Sequence, residues 1–214
     1  TAWKEDETRP LVKLALDCGF RAIDTANQRK HYHEAAVGEA VAAALEEGQL
    51  ERDEVFLQTK FTHVAGQDHR LPYDPDASFA TQVEQSFESS LDHLQVDAID
   101  SYVLHGPSTR VGLADADREV WEAMEDLERS GRTRYLGASN ISPDQLETLV
   151  DVADVPPTFV QNRCFARTGW DREVREICQA NDIYYQGFSL LTANVQALRT
   201  QAVADIAERH EKPL

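Results

Sequence analysis

The sequence has little cysteine, little positive charge, no long apolar run and no glycine-rich phosphate loop, and each shortage narrows what the chain does. Cys18, Cys164 and Cys178 are the three cysteines among 214 residues, and no two form a C-x-x-C pair. That excludes a disulfide framework and a cysteine zinc site, and it fits reduced thiols in the cytoplasm. No stretch approaches the roughly 20 apolar residues of a membrane span, and residues 1–10 are polar where a secretory signal is apolar. Lys and Arg number 21 against 38 Asp and Glu, a net charge of −17. Such a field repels nucleic-acid phosphates and anionic membranes, and the basic clusters at 28–31 and 132–134 are short, so neither partner is expected. The acidic excess serves solubility or a high-salt habitat and says little about chemistry.

What is present is alternation. With 42% hydrophobic residues the chain can bury a sizeable core. Short apolar runs at 20–26, 55–61, 98–105, 135–139, 159–163 and 183–188 carry β character. Between them lie stretches of helical spacing: 11–18 before Gly19, then 34–47, 78–94, 117–129, one opened by Ser142-Pro143-Asp144, 171–180 and 195–210. Ala2–Trp3 is expected to be the tail of a further strand. Alternating strands and helices with short connections predict right-handed crossovers and a parallel sheet, either doubly wound or closed as an eight-fold barrel.

The polar residues favour the barrel, as one domain over 1–214. Asp24, Lys60, His105, Ser139, Gln161, Asn162 and Ser189 stand at or just past the ends of six strands, Gln161 and Asn162 sharing one. A barrel gathers those ends around one mouth, whereas an open sheet uses one switch point. No G-x-G-x-x-G follows any strand, and no G-x-x-x-x-G-K-[ST] occurs. His33-Glu34-Ala35-Ala36-Val37 opens like a helical zinc motif but has Val37 where the second His is needed; His31 and His33 are read as solvated loop residues. Gly137-Ala138-Ser139-Asn140-Ile141 lacks the last glycine of a nucleophile elbow.

One constellation remains: Asp24, Lys60, His105 and the nearby Tyr32. An acid beyond one strand and a lysine ending the next can form a buried ion pair. The lysine then favours ionisation of a neighbouring phenol, whose ordinary pKa is about 10, and makes it a better proton donor. A histidine on the following strand can hydrogen-bond a carbonyl oxygen and orient it. Together the four suit protonation of a carbonyl oxygen while a hydride reaches its carbon. A barrel aldolase or isomerase with Lys60 as Schiff base is a minor alternative.

At these residues the sequence resembles the aldo-keto reductases. The matching runs are Gly19 to Ala26, Val37 to Ala40, Val55 to Lys60, Asp97 through His105, Gly131 followed by Leu136 to Asn140, and Val160 to Asn162. The resemblance implies an eight-stranded α/β barrel that reduces aldehydes and ketones with NADPH, NADH staying open, through an Asp, Tyr, Lys and His tetrad. Carried over by motif, these are Asp24, Tyr32, Lys60 and His105. It also implies that Ser139, Asn140, Gln161 and Asn162 lie near the nicotinamide, that Phe188 stacks on its ring, and that Ser189 and Leu190 meet the pyrophosphate.

The pattern is broken in two places. The position five after the aspartate, where the family has its tyrosine, holds Arg29, and Tyr32 follows three residues later. The eighth strand, the last helices and most of the first strand are unrepresented, so the chain is expected to be a shortened form of a longer protein, an incomplete barrel. The expectation is a monomeric, cytoplasmic carbonyl reductase acting on a small molecule. Its rival is a non-catalytic cofactor-binding or regulatory protein on the same scaffold.

Overall fold

The computed structural model describes residues 1–213. Six strands, β1 (Ala22–Asp24), β2 (Phe56–Phe61), β3 (Ile99–Leu104), β4 (Thr133–Ser139), β5 (Phe159–Arg163) and β6 (Tyr184–Phe188), alternate with helices. The helices are α1 (Thr8–Asp17), α2 (Glu34–Glu46), α3 (Phe79–Leu94), α4 (Asp115–Arg129), α5 (Pro143–Val152), α6 (Arg172–Ala180), α7 (Val195–Leu198) and α8 (Gln201–Arg209). All neighbouring strands pair in parallel, in the order β1-β2-β3-β4-β5-β6.

The sheet curls. Gln58 on β2 donates through Nε2 to Oε1 of Gln186 on β6 at 2.8 Å, although three strands separate them in the sheet order. The period-2 alternation of β2 sorts its side chains. Phe56, Gln58 and Lys60 share the concave face, where Phe56 meets Phe159 of β5 with ring centroids 5.7 Å apart. Leu57 and Phe61 are buried on the other side in a core shared with Val37, Val41, Val83, Phe87, Val120 and Met124 of the helices. The interior is thus layered, with aromatic rings toward the N-terminal strand ends, amides in the middle, and charge at the C-terminal rim. This is the curled β/α architecture expected for part of an eight-fold barrel.

Local sequence explains the helix boundaries. Ser142 caps α5 by accepting from the Gln145 amide, with Pro143 as its first residue, and Gln95 ends α3 in the left-handed region. Gly38 lets α2 and α3 pack backbone to backbone: a Cβ there would lie 2.0 Å from the His93 carbonyl oxygen. Two expectations are corrected. Ala2–Trp3 is a turn, with Trp3 at φ 66 stacked on His31, so it forms no strand. The last helix is two, because Thr200 is extended (ψ 152) and separates α7 from α8.

Candidate active site

At the C-terminal rim of the strands the structure places Asp24, Lys60, His105 and Tyr32 together. Lys60 is 0% exposed, and its Nζ donates to Oδ1 of Asp24 at 2.6 Å and to the Thr25 carbonyl at 2.6 Å. The Asp24 side chain keeps 37% of its surface and also accepts from Gln58 Nε2 (2.7 Å) and Gln161 Nε2 (3.1 Å). Burial works to raise its carboxyl, but the Lys60 charge and these hydrogen bonds outweigh it and hold the group below the usual carboxylate range.

Tyr32 stands in the loop between β1 and α2, half-buried, with Lys60 Nζ 5.3 Å from its ring centroid. The ring meets His105 edge-on, centroids 5.7 Å apart. Arg29, at the family's usual tyrosine position, instead pairs with Glu5 at 2.8 Å. The expectation that Lys60 lowers the Tyr32 pKa is corrected: burial, and then the Asp24 charge, push the phenol well above its ordinary value. Taking the phenol out of water disfavours its charged form, and the Asp24 carboxylate adds to that.

His105 follows β3, and its Nδ1 is 2.7 Å from Oγ1 of Thr62. Burial, and then the Lys60 charge, push its pKa down to about 3, so the ring is neutral at neutral pH. The segment that follows, from Ser108 to Ala114, is tied down by Asp117 of α4. This buried carboxylate accepts from the Ser108 amide (2.7 Å), the Ser108 hydroxyl (3.0 Å) and the Ala114 amide (3.1 Å), and faces His63 Nε2 at 3.0 Å.

The remaining residues fall on the rim of β4, β5 and β6. Ser139 donates to the Gln161 carbonyl at 2.6 Å, and Asn140, left-handed at φ 52, donates to the His105 carbonyl at 2.8 Å. Neither Oδ1 of Asn140 nor Oε1 of Gln161 has a hydrogen-bond partner among the described residues, and neither is sealed off. Asn162 differs. Its Nδ2 serves the Ile141 carbonyl (2.8 Å) and Asp171 (2.9 Å) while its Oδ1 takes the Ile141 amide (3.0 Å), so it braces the loop after β4. Phe188 ends β6 with the Arg163 guanidinium 5.7 Å from its ring centroid, Ser189 follows at φ 56, and Leu190 is exposed.

Sequence reasoning missed several of the groups that hold the site. Gln58 and Gln186 join Gln161 in an amide cluster under Asp24; their position two residues before a site residue of the same strand, Lys60 and Phe188, and so on its face, was the available signal. Thr62 and Asp117 lay outside any motif. Asn194, buried, donates to the carbonyls of Cys164 and Leu190 at 2.8 Å each and fixes the segment after β6. Among the described residues no cluster of three or more His, Cys, Asp or Glu is placed to hold a metal, and no helix is long and apolar enough to cross a membrane.

Comparison with known proteins bears on the family and the fold. The chain is 30% identical over 207 residues to glyoxal reductase of Bacillus subtilis and 33% identical over 217 residues to deoxymugineic acid synthase 1-D of Triticum aestivum. These matches take in 97% and 94% of the chain but 66% and 64% of those proteins, so it spans just under two thirds of their length. Among solved structures, an aldo-keto reductase from a Medee basin deep-sea metagenome superposes with a TM-score of 0.79 at 26% identity, covering 98% of this chain and 70% of that one. One from Brucella melitensis superposes with a TM-score of 0.79 at 28% identity, covering 98% and 73%. The aldo/keto reductase family model matches residues 1–212 without a break, and the chain belongs to that family.

Proposed function

We propose that the site reduces an aldehyde or ketone to an alcohol, with Tyr32 as the proton donor and NADPH as the cofactor. The observation that carries this is the buried Lys60 ammonium, paired with Asp24 and lying against Tyr32, whose ring meets His105. A bound reduced nicotinamide supplies the hydride to the carbonyl carbon. The residues present suit that group: a carboxamide brings two N–H donors, and Asn140 Oδ1 and Gln161 Oε1 are two acceptors without partners among the described residues. Ser139 sits between them, and Phe188, Ser189 and Leu190 lie on the adjoining rim, suited to the ring and the pyrophosphate. Asn162 acts at one remove, by bracing the loop that carries Asn140.

The neutral His105 holds the carbonyl oxygen of the substrate by a hydrogen bond and is too weakly basic to be the acid. Tyr32, its pKa raised, carries its proton throughout the neutral range and gives it to the oxygen as negative charge builds there. Asp24 holds the Lys60 ammonium in place beside the Tyr32 ring. We place this chemistry in the cytoplasm, on one monomeric barrel domain; three unpaired cysteines support the compartment. Glyoxal reductase among the relatives supports a small carbonyl substrate.

The test is NADPH oxidation at 340 nm across a panel of aldehydes and ketones, with Tyr32→Phe beside the wild type. Turnover is expected to fall by about 10² to 10⁴, the range a positioned acid contributes. A variant that keeps more than about a tenth of the wild-type rate removes Tyr32 as donor. Cofactor binding without oxidation of any carbonyl points instead to a binding or regulatory role.

A further inference from the structure

The loop after β2 is knitted more tightly than a pocket wall requires. Tyr73 donates its hydroxyl to the Thr62 carbonyl at 2.6 Å, while Gln67 Nε2 reaches the Asn27 carbonyl at 2.8 Å and the Thr62 carbonyl at 3.5 Å. The Thr62 methyl lies against Gly66, where a Cβ would come within 2.7 Å of it. These contacts fix a buried threonine whose hydroxyl meets Nδ1 of His105 at 2.7 Å and has no other hydrogen-bond partner among the described residues.

A buried hydroxyl proton needs an acceptor. Were Nδ1 protonated, Thr62 Oγ1 would have to accept from it, and the hydroxyl proton would have nowhere to go. Nδ1 is therefore the acceptor. A neutral imidazole carries one proton, so it resides on Nε2, which has no hydrogen-bond partner among the described residues and is not enclosed.

We propose that Thr62 is a positioning residue: its hydroxyl donates to Nδ1 of His105 and locks the ring in the Nε2–H form that donates to the substrate carbonyl. This rests on the reductase reading for its purpose, but the tautomer can be read without turnover. Holding an imidazole in the tautomer the reaction needs is an established means of second-tier control in catalysis.

The experiment is ¹⁵N and ¹³C NMR of the His105 ring at neutral pH in wild type, Thr62→Val and Thr62→Ser, with aldehyde kinetics alongside. Wild type and Thr62→Ser are expected to show the Nε2–H form. Thr62→Val is expected to show mixed tautomers and a kcat at least about fivefold lower, the size of one neutral hydrogen bond, with KM changed less. An Nδ1–H signal in wild type overturns the proposal, as does Thr62→Val keeping the pure Nε2–H form. If Thr62→Val does not fold, the wild-type and Thr62→Ser spectra decide. A wild type that holds Nε2–H but reduces no carbonyl overturns the reductase reading and leaves the tautomer assignment standing.

Discussion

The ion pair at the rim is asymmetric, and that asymmetry is measurable. Lys60 is 0% exposed, whereas the Asp24 side chain keeps 37% of its surface and two amide donors besides the lysine. In Lys60→Met the carboxylate stays ionised, still wet and still hydrogen-bonded, so the expected loss is about 1–3 kcal/mol, that of hydrogen bonds to a charged group. In Asp24→Asn an oxygen remains to accept from Nζ, but the ammonium is left sealed without a counter-charge. Breaking a buried pair in that way costs about 3–5 kcal/mol. The double variant Asp24→Asn/Lys60→Met removes both charges and should be no less stable than Lys60→Met alone, a coupling of roughly 3 kcal/mol. Urea unfolding at pH 7, with midpoints compared at unchanged m, gives all three numbers. An Asp24→Asn variant milder than Lys60→Met, or additive losses in the double variant, refutes the argument.

Two further outcomes are expected. Gly38→Ala drives a methyl into the His93 carbonyl and should destabilise the protein by about 1–3 kcal/mol or more, seen as a lower urea midpoint; an unchanged midpoint shows that α2 and α3 can separate freely. In an NMR titration from pH 5 to 8, His105 should not titrate, since its pKa lies at about 3, while His93 should titrate above the ordinary histidine value, chiefly through its hydrogen bond to Glu34. The His93 contribution to stability is complete below the unfolded-state pKa, near 6.5, and is lost as pH rises through the raised folded value. Glu34→Gln should bring the His93 midpoint back down, and an unmoved midpoint excludes the Glu34 contact as its cause.

The alternation of strands and helices was legible because each strand has a run of apolar residues and each helix a face of them, and these periods need no tertiary information. Asp24, Lys60 and His105 were legible for a related reason: each ends an apolar strand, and parallel strands in a curled sheet bring such ends to one place. The residues that hold them were not. Thr62 and Asp117 acquire meaning through partners far along the chain, His105 for Thr62 and His63 for Asp117, and local sequence shows only a loop hydroxyl and an acid at a helix start. The direction of the Tyr32 shift was misjudged because residue types say neither how deeply a loop side chain is buried nor which neighbour neutralises which. Trp3 was misread because its left-handed backbone follows from docking on His31 rather than from its own preference.

Gln58, Gln161 and Gln186 come from three strands, and each side-chain amide can in isolation face either way. Asp24 can only accept, so Gln58 and Gln161 must turn their nitrogens toward it; both also donate to Gln186 Oε1, and Gln186 returns its own nitrogen to Gln58 Oε1. One negative charge therefore sets the polarity of a circuit that runs across the lumen. Neutralising that carboxylate would remove the reason for any of the three to keep its heading, so the orientation of Gln186, on the far wall, registers the ionisation state of a group on β1.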